Sequence, residues 1–397
     1  MDEIVRVSIR GTTTKNLLFA FLILMLGFAP AVGAQAQQAV PQRQNARDSH
    51  RGVSVTLLSY NVDNLFDATA NGTEYPEFRP SSGRWTDRLY RVRLENTARV
   101  ISDSVPHGPD IVVLQEIENQ AVLKTLADEY LRRGGYRYSV MVPVPGSAIN
   151  VGVLSRFPVT GVLAHEVRAE TTHPLRNILE VTIDVHGVPL TLFACHWKAK
   201  SGGALRTEEA RRIAAHIIIT RMGRILQANP SAEALVVGDL NESEDEYERI
   251  GGQYRTAIIN VDPHEPSTGV DPAHIPSDYA KDSIFVVDHA ADLAPVVRAL
   301  GGESAGHLVL FSPWGSVRNG SDSGSYWYRG SWETIDQFLL APGLLDNHGL
   351  TLAGFDVVTR DYLVNRLGHP RKWQSRIGSG YSDHLPILLT LTVLKPQ

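Results

Sequence analysis

Residues 53–64 read VSVTLLSYNVDN. The first eight, 53–60, are mostly β-branched or apolar and have the length of a strand. An amide and a carboxylate, Asn61 and Asp63, follow at the end of that run. A polar group at the end of an apolar strand stands at the mouth of a sheet, where several strands can aim such groups at one point. The same pattern recurs along the chain. V-L-Q-E-I-E-N at 113–119 supplies Glu116 and Glu118, and F-A-C-H-W-K-A-K at 193–200 supplies His196, Lys198 and Lys200. V-V-G-D-L-N at 236–241 supplies Asp239 and Asn241, E-T-I-D-Q-F at 333–338 supplies Asp336, and G-Y-S-D-H-L-P at 380–386 supplies Asp383 and His384.

Around these motifs the patterning alternates between strand and helix. Further strand-length runs lie at 111–114, 151–154, 180–185, 189–195, 234–237, 335–340 and 387–393, and His186-Gly187 predicts a tight hairpin between two of them. Helical spacing predicts helices over 86–105, 119–133 and 207–227, with Asn119 and Thr207 as N-caps. Arg88, Arg91, Arg93 and Arg99 read as a solvated face of the first helix. Residues 262–330 are rich in Pro, Gly, Ser and His and are expected to form a large surface insertion within one domain. Strands with helices and hairpins together predict an α/β fold built on mixed sheets.

Composition sets the bounds. The chain has 397 residues, 43% hydrophobic and 20% charged, which is ordinary globular composition. Its net charge of −5 excludes a strongly basic protein that coats nucleic acid. A single cysteine, Cys195, excludes an intrachain disulfide and a multi-cysteine zinc site, and its place inside an apolar run makes it a core residue. Residues 1–36 read as a secretory leader: Arg6, Arg10 and Lys15, an apolar run over 17–28, then Ala34-Gln35-Ala36 as a cleavage signature. Residues 37–52 read as a flexible linker. The expected product is exported, periplasmic or extracellular, monomeric, and without a membrane span once the leader is removed.

Carboxylates that converge repel one another unless a cation neutralises them. Asn61, Asp63, Glu116 and Asp383 offer oxygen ligands, which suit a hard divalent cation: Mg²⁺ is expected, with Mn²⁺ or Ca²⁺ as alternatives. Two histidines add groups that titrate near neutrality or donate to an oxyanion. This donor set suits metal-assisted hydrolysis of a phosphoester.

Taken in order, N-x-D, Q-E, H, G-D-x-N, I-D and S-D-H resemble the exonuclease/endonuclease/phosphatase superfamily across residues 53–395. The resemblance implies a four-layered α/β sandwich of two packed mixed β-sheets flanked by helices. It implies that Glu116 is the principal metal ligand, with Asn61, Asp63 and Asp383 near the metal. Asp239 and Asn241 would orient or activate water and bind the phosphate. His384, oriented by Asp336, would contact the scissile phosphate, and His196 would bind phosphate or serve as a general acid. The expected substrate is a phosphodiester, nucleic acid foremost, with Lys198, Lys200, Tyr326 and Arg329 contributing to its binding. A phosphatase, a phospholipid or sphingomyelin phosphodiesterase, and a catalytically inactive binding protein are the competing readings.

Overall fold

In the computed structural model the described residues are 52–394, apart from 265–269, 273–274, 303–305 and 318–322. The leader and nearly all of the expected linker lie outside them. The described chain begins with β1 (Val53–Leu65), α1 (Asp87–Ser104), β2 (Ile111–Ile117), α2 (Gln120–Thr125), β3 (Tyr138–Val140) and β4 (Asn150–Ser155). It continues through β5 (Val159–His165), β6 (Ile178–Val185), β7 (Val188–His196), α3 (Ala204–Ala228), β8 (Ala234–Asp239) and α4 (Glu246–Arg249). Then come β9 (Ile258–Asn260), β10 (Ile284–Val287), α5 (Leu293–Ala299), β11 (Val309–Phe311), β12 (Tyr326–Tyr328) and β13 (Ser331–Glu333). Last are β14 (Asp336–Leu340), β15 (Leu350–Val357) and β16 (Ile387–Val393).

Two mixed sheets result, ordered β15-β16-β1-β2-β4-β3 and β5-β6-β7-β8-β14-β11-β10-β9, beside the small hairpin β12-β13. Their central strands are buried on both faces, and the period of two sorts the side chains. Val55 and Leu57 of β1 meet Leu192, Ala194, Leu235 and Val237 of the other sheet in one core. Leu58, Tyr60 and Val62 turn the other way, under Leu94, Ala98 and Ile101 of α1. On the second sheet Phe193, Cys195 and Val236 turn outward under Ala214, Ile218 and Met222 of α3. Helix, sheet, sheet and helix thus make the expected four-layered sandwich. No helix among the described residues is long and apolar enough to cross a membrane.

Local signals hold at several ends and fail at others. Thr86 caps α1, its hydroxyl accepting from Leu89 N at 3.3 Å, and Asn119 caps α2, accepting from Val122 N at 3.0 Å. His186 and Gly187 turn between β6 and β7 at φ 55° and 92°, both in the left-handed region that a two-residue hairpin needs. Thr207 is not an N-cap: α3 starts at Ala204, and the Thr207 hydroxyl donates back to Gly203 O at 3.0 Å inside its first turn. The helix expected over 119–133 stops at Thr125 and continues as a wider turn over Leu126–Tyr130. The insertion expected at 262–330 is also corrected. β10 and β11 fall within it, pair in parallel with each other and extend the second sheet, and Phe285 and Val309 lie in its core. Frequent Gly, Pro and Ser there mark the turns between short buried strands.

Strand direction gathers the polar ends. β1 and β2 run parallel, as do β7 and β8, so their C-terminal ends reach the same edge. β14 is antiparallel to β8 with Asp336 opposite Asp239, so it begins where β8 ends. β16 is antiparallel to β1 with Ile387 opposite Ser59, which brings Asp383 and His384 to that edge from the other direction.

Candidate active site

All six motifs meet at this edge. The Asn61 amide donates to Glu116 Oε1 at 3.1 Å and to Asp239 Oδ2 at 3.0 Å, joining the two sheets across the mouth of the sandwich. His196 Nε2 lies 3.8 Å from Glu116 Oε1 and 3.6 Å from Asp239 Oδ2. His384 Nδ1 bonds Asp336 Oδ2 at 2.7 Å, while its Nε2 stands 4.0 Å from Asp239 Oδ2. Asp239 Oδ1 accepts from the backbone N–H of Asn241 at 2.8 Å, and the Asn241 amide donates to Trp197 O at 3.3 Å.

The backbone departs from regular strand where it aims these groups. The β1–β2 ladder shifts register between Asn61 and Leu65, and the β2–β4 ladder shifts between Leu114 and Ile117. Asp63, Asn64, Glu116 and Asn241 sit at φ 54°, 65°, 66° and 52°. Side-chain-bearing residues held there cost about 1–3 kcal/mol each, and such strain collects at functional sites. One residue before Asp239, Gly238 has φ 135°, and a Cβ there would stand 2.1 Å from the carbonyl oxygen of Cys195. Only glycine lets β7 and β8 close together behind the site.

Charge is unevenly balanced. Burial, with Asp63 and Asp383 adding, pushes the Glu116 carboxyl up to about 7. Burial, with Asp336 adding, pushes Asp239 up to about 6. Burial and Asp383 raise Asp63. For Asp383 burial acts in the same direction, but His384 and Lys372 outweigh it and hold the carboxyl low. Burial opposes protonation of His384 too, yet Asp336, Asp239 and Asp383 hold the ring well above its ordinary value, so it is an imidazolium at neutral pH. Burial, with Arg176 and His384 adding, holds His196 well below its ordinary value. That direction favours the neutral ring, the form in which His196 binds a phosphate as a hydrogen-bond donor.

Glu116 presents carboxylate oxygens in an electronegative, largely buried position, held by the Asn61 amide, whose own oxygen accepts from Asp63 N at 3.0 Å, and no fixed cation pairs with Glu116 among the described residues. A hard divalent cation fits this donor set. Asp239, Asp336 and His384 also bring ligand-type atoms within 4.8 Å of one another. The His384 ring is committed to Asp336 and charged, which makes that trio a better proton relay than a metal cage. A pH dependence follows. Glu116 holds its proton up to about 7 in the folded chain against 4.5 unfolded, so the stability it contributes is full below pH 4.5 and lost as pH rises to about 7. In EDTA the melting temperature should fall across that window. A divalent cation should raise it by more degrees at about pH 8 than at about pH 6. A cation effect independent of pH would count against Glu116 as a ligand.

The expected substrate-binding residues divide. Tyr326 stacks on His384 with ring centroids 4.6 Å apart, and Arg329 lies over the Tyr328 ring at 5.2 Å, at the tip of the β12–β13 hairpin. Lys198 lines a groove of about 990 Å³ with Glu116, His196, Arg79, Arg176 and Arg206. Lys200 does not fit its expected part: its ammonium is paired with Glu246 at 2.5 Å and Glu333 at 3.5 Å.

Several site residues escape the sequence reading. Arg93, expected to be solvated, is 1% exposed and donates to the carbonyls of Val62, Asp63 and Tyr381, fixing the loop backbones beneath the site. Arg176 donates to the carbonyls of His196 and Trp197. Ser325 donates to Asp336 Oδ2 at 2.5 Å, and Ser382 donates to Asn61 O at 2.7 Å. Lys372 reaches Asp383 Oδ2 at 2.7 Å and Asp63 Oδ1 at 3.5 Å. The one available signal was the basic run Arg366, Arg371, Lys372 and Arg376 in an otherwise acidic chain.

Residues 56–249 match the Endonuclease/Exonuclease/phosphatase family, whose members are metal-dependent phosphoester hydrolases. No curated protein matches it. Solved structures with a similar fold include truncated TDP2 of Caenorhabditis elegans, at 15% identity and a TM-score of 0.47, covering 86% of this chain and 98% of that one. An endonuclease/exonuclease/phosphatase family protein of Bacteroides thetaiotaomicron aligns at 15% identity and a TM-score of 0.45, covering 87% and 99%. The human Nocturnin catalytic domain with bound sulfate aligns at 14% and 0.44, covering 86% and 94%.

Proposed function

We propose that the protein is an exported, divalent-metal-dependent phosphodiesterase that cleaves nucleic acid. One observation carries the chemistry: the Asp336–His384 pair at 2.7 Å with the free edge of the ring turned toward Asp239, which Asn61 ties to Glu116. Glu116, Asp63 and Asp383 would hold the cation, Mg²⁺ in the first instance, with Asn61 orienting Glu116 beside it; the ion supplies Lewis-acid neutralisation of the phosphoryl oxygens when bound. His384, kept protonated by Asp336, donates to a non-bridging oxygen as negative charge grows on the phosphorus centre. Asp239, oriented by Asn61 and Asn241, positions the attacking water and accepts its proton. His196 binds the phosphate as a neutral donor. Export rests on the leader pattern of residues 1–36.

Nucleic acid is favoured by the surface beside His384. Tyr326 and Tyr328 stack at 5.9 Å, continuing outward from the ring of His384, and Tyr328 is 44% exposed. Trp327 stacks on His369 at 3.8 Å, which joins the hairpin to the loop bearing Arg366, Arg371, Lys372 and Arg376. Aromatic faces with guanidinium groups bind unpaired bases and their phosphates. A phospholipid surface is the second reading, because Leu367 and Ile377 on that loop are 77% and 68% exposed.

The test is a hydrolysis panel with and without EDTA: single- and double-stranded DNA, RNA, a bis-aryl phosphate, inositol phosphates, and sphingomyelin in vesicles. Chelator-sensitive cleavage of an oligonucleotide is expected, and Tyr328→Ala should raise its KM about tenfold, one stacked base being worth ~1–3 kcal/mol. Turnover confined to vesicles would transfer the reading to a phospholipid phosphodiesterase. Turnover confined to phosphomonoesters would make the protein a phosphatase. No turnover on any substrate would favour an inactive binding protein.

A further inference from the structure

Two arms lead away from the site. One is the hairpin β12–β13, where Tyr326 stacks on His384 and Tyr328 on Tyr326. The other is the groove of about 990 Å³, which Glu116 and His196 share with the site and which no residue of that hairpin lines. Segments around Tyr75, Ser147, His173 and Ser201 enclose it.

The groove gathers cations that have no acid paired with them. Arg176 donates to the carbonyls of His196 and Trp197. Lys198 Nζ donates to Ala199 O at 3.0 Å and to the Ser201 hydroxyl at 3.4 Å. Arg206 is exposed in the first turn of α3, and its guanidinium has no partner among the described residues. By contrast, on the same segment Lys200 pairs with Glu246 and Glu333, and Arg211 pairs with Glu208 and Glu242. Of the acids that line the groove, Glu74 accepts from the backbone N–H groups of Asn71 and Gly72. Glu170 and Glu209 are exposed and pair with no cation among the described residues. Burial, with Arg176 and Arg211 adding, lowers the proton affinity of Lys198, and burial, Arg176, His384 and Lys198 lower that of His196. Cations that depress one another in this way are short of an anion.

We propose that the groove is a second phosphate subsite, in which Lys198 and Arg206 bind a phosphate neighbouring the scissile one, so that the protein selects substrates carrying at least two phosphates. A phosphate supplies the missing negative charge, and ammonium and guanidinium groups both bind it through charge-assisted hydrogen bonds. Such contacts fix the register of a chain without reading its bases. With bases stacked on the tyrosines of the other arm, a strand runs through the site rather than ending in it. The inference rests on the reading of the protein as a phosphodiesterase of nucleic acid and adds the reach of its substrate.

The test compares KM on the full chain for a thymidine dinucleotide with one internal phosphate, for the same dinucleotide with a further phosphate at its 5′ or 3′ end, and for the trinucleotide. A second phosphate is expected to lower KM about tenfold. A gain from a terminal phosphate alone assigns the subsite to chain ends, and a gain from the trinucleotide assigns it to the chain interior. Arg206→Ala or Lys198→Met should cut the gain to within about threefold, and on a longer single strand each should lower the slope of log KM against log salt by about 0.7. Equal KM for all these substrates in the parent, or a full gain in both variants, would overturn the proposal. A second readout needs no turnover: calorimetry of pyrophosphate binding in EDTA, where the parent should bind at least fivefold more tightly than Arg206→Ala. Equal affinity there would overturn the subsite. Affinity lost in Arg206→Ala, with no hydrolysis of any nucleotide, would keep the subsite and overturn the nucleic-acid reading beneath it. Arg206 is exposed, so its variant should keep the parent's melting temperature.

Discussion

His384→Ala is expected to lower kcat for phosphodiester hydrolysis by about 10³-fold, the effect of removing a positioned donor to developing charge. The ring is 6% exposed and its short bond is to a single carboxylate at the start of β14, at the mouth of the sheets, so its loss disables chemistry more than folding. Asp336→Asn separates charge from shape. It keeps a hydrogen-bond acceptor for Nδ1 but removes the anion that outweighs burial and keeps the ring protonated. The imidazolium should then lose its proton at lower pH, so the alkaline limb of the kcat profile should move to lower pH while KM changes little. Activity in His384→Ala within tenfold of the parent would remove the ring from the mechanism, and an unmoved alkaline limb in Asp336→Asn would remove the relay.

Glu116→Gln should be comparably damaging for a different reason. A metal ion supplies several kcal/mol of charge stabilisation, about 10³-fold in rate, and it cannot be held by a site whose principal carboxylate is gone. The glutamine is nearly isosteric and can still meet the Asn61 amide, so the melting temperature in EDTA should not fall. What should disappear is the rise in melting temperature on adding cation, together with activity at any cation concentration. Full rescue by excess Mg²⁺ would show that Asp63 and Asp383 hold the ion without Glu116.

Much of this site was legible because each motif residue interrupts an apolar run. Asn61 after Tyr60, Glu116 after Leu114 and Asp239 after Val237 break a pattern that has no internal reason to break. The four-layered architecture came from the family resemblance, and the alternation of β1, inward at Val55 and Leu57 and outward at Leu58 and Tyr60, supports it. Other features depend on tertiary register. Arg93 has the spacing of a solvated face until the loops at 62–63 and 381 arrive to take its donors. Lys200 looks like a phosphate binder until Glu246 and Glu333 fold beside it. β9 and β11, three residues each, are too short for periodicity to separate from loop. The left-handed backbone at Glu116 has no signature in composition, because it is imposed by two ladders shifting register on either side of β2.

The pairing of β1 with β16, which sets Val53 against Val393, also has a consequence in time. During synthesis β1 lacks one neighbour until β16 has emerged, and contacts between such remote segments are the slow ones to form. Asp383 and His384 directly precede that strand. A nascent chain therefore carries Asn61, Glu116 and Asp239 long before it carries the imidazole they work with. Hydrolytic competence therefore waits until β16 has paired with β1 and brought Asp383 and His384 to the site.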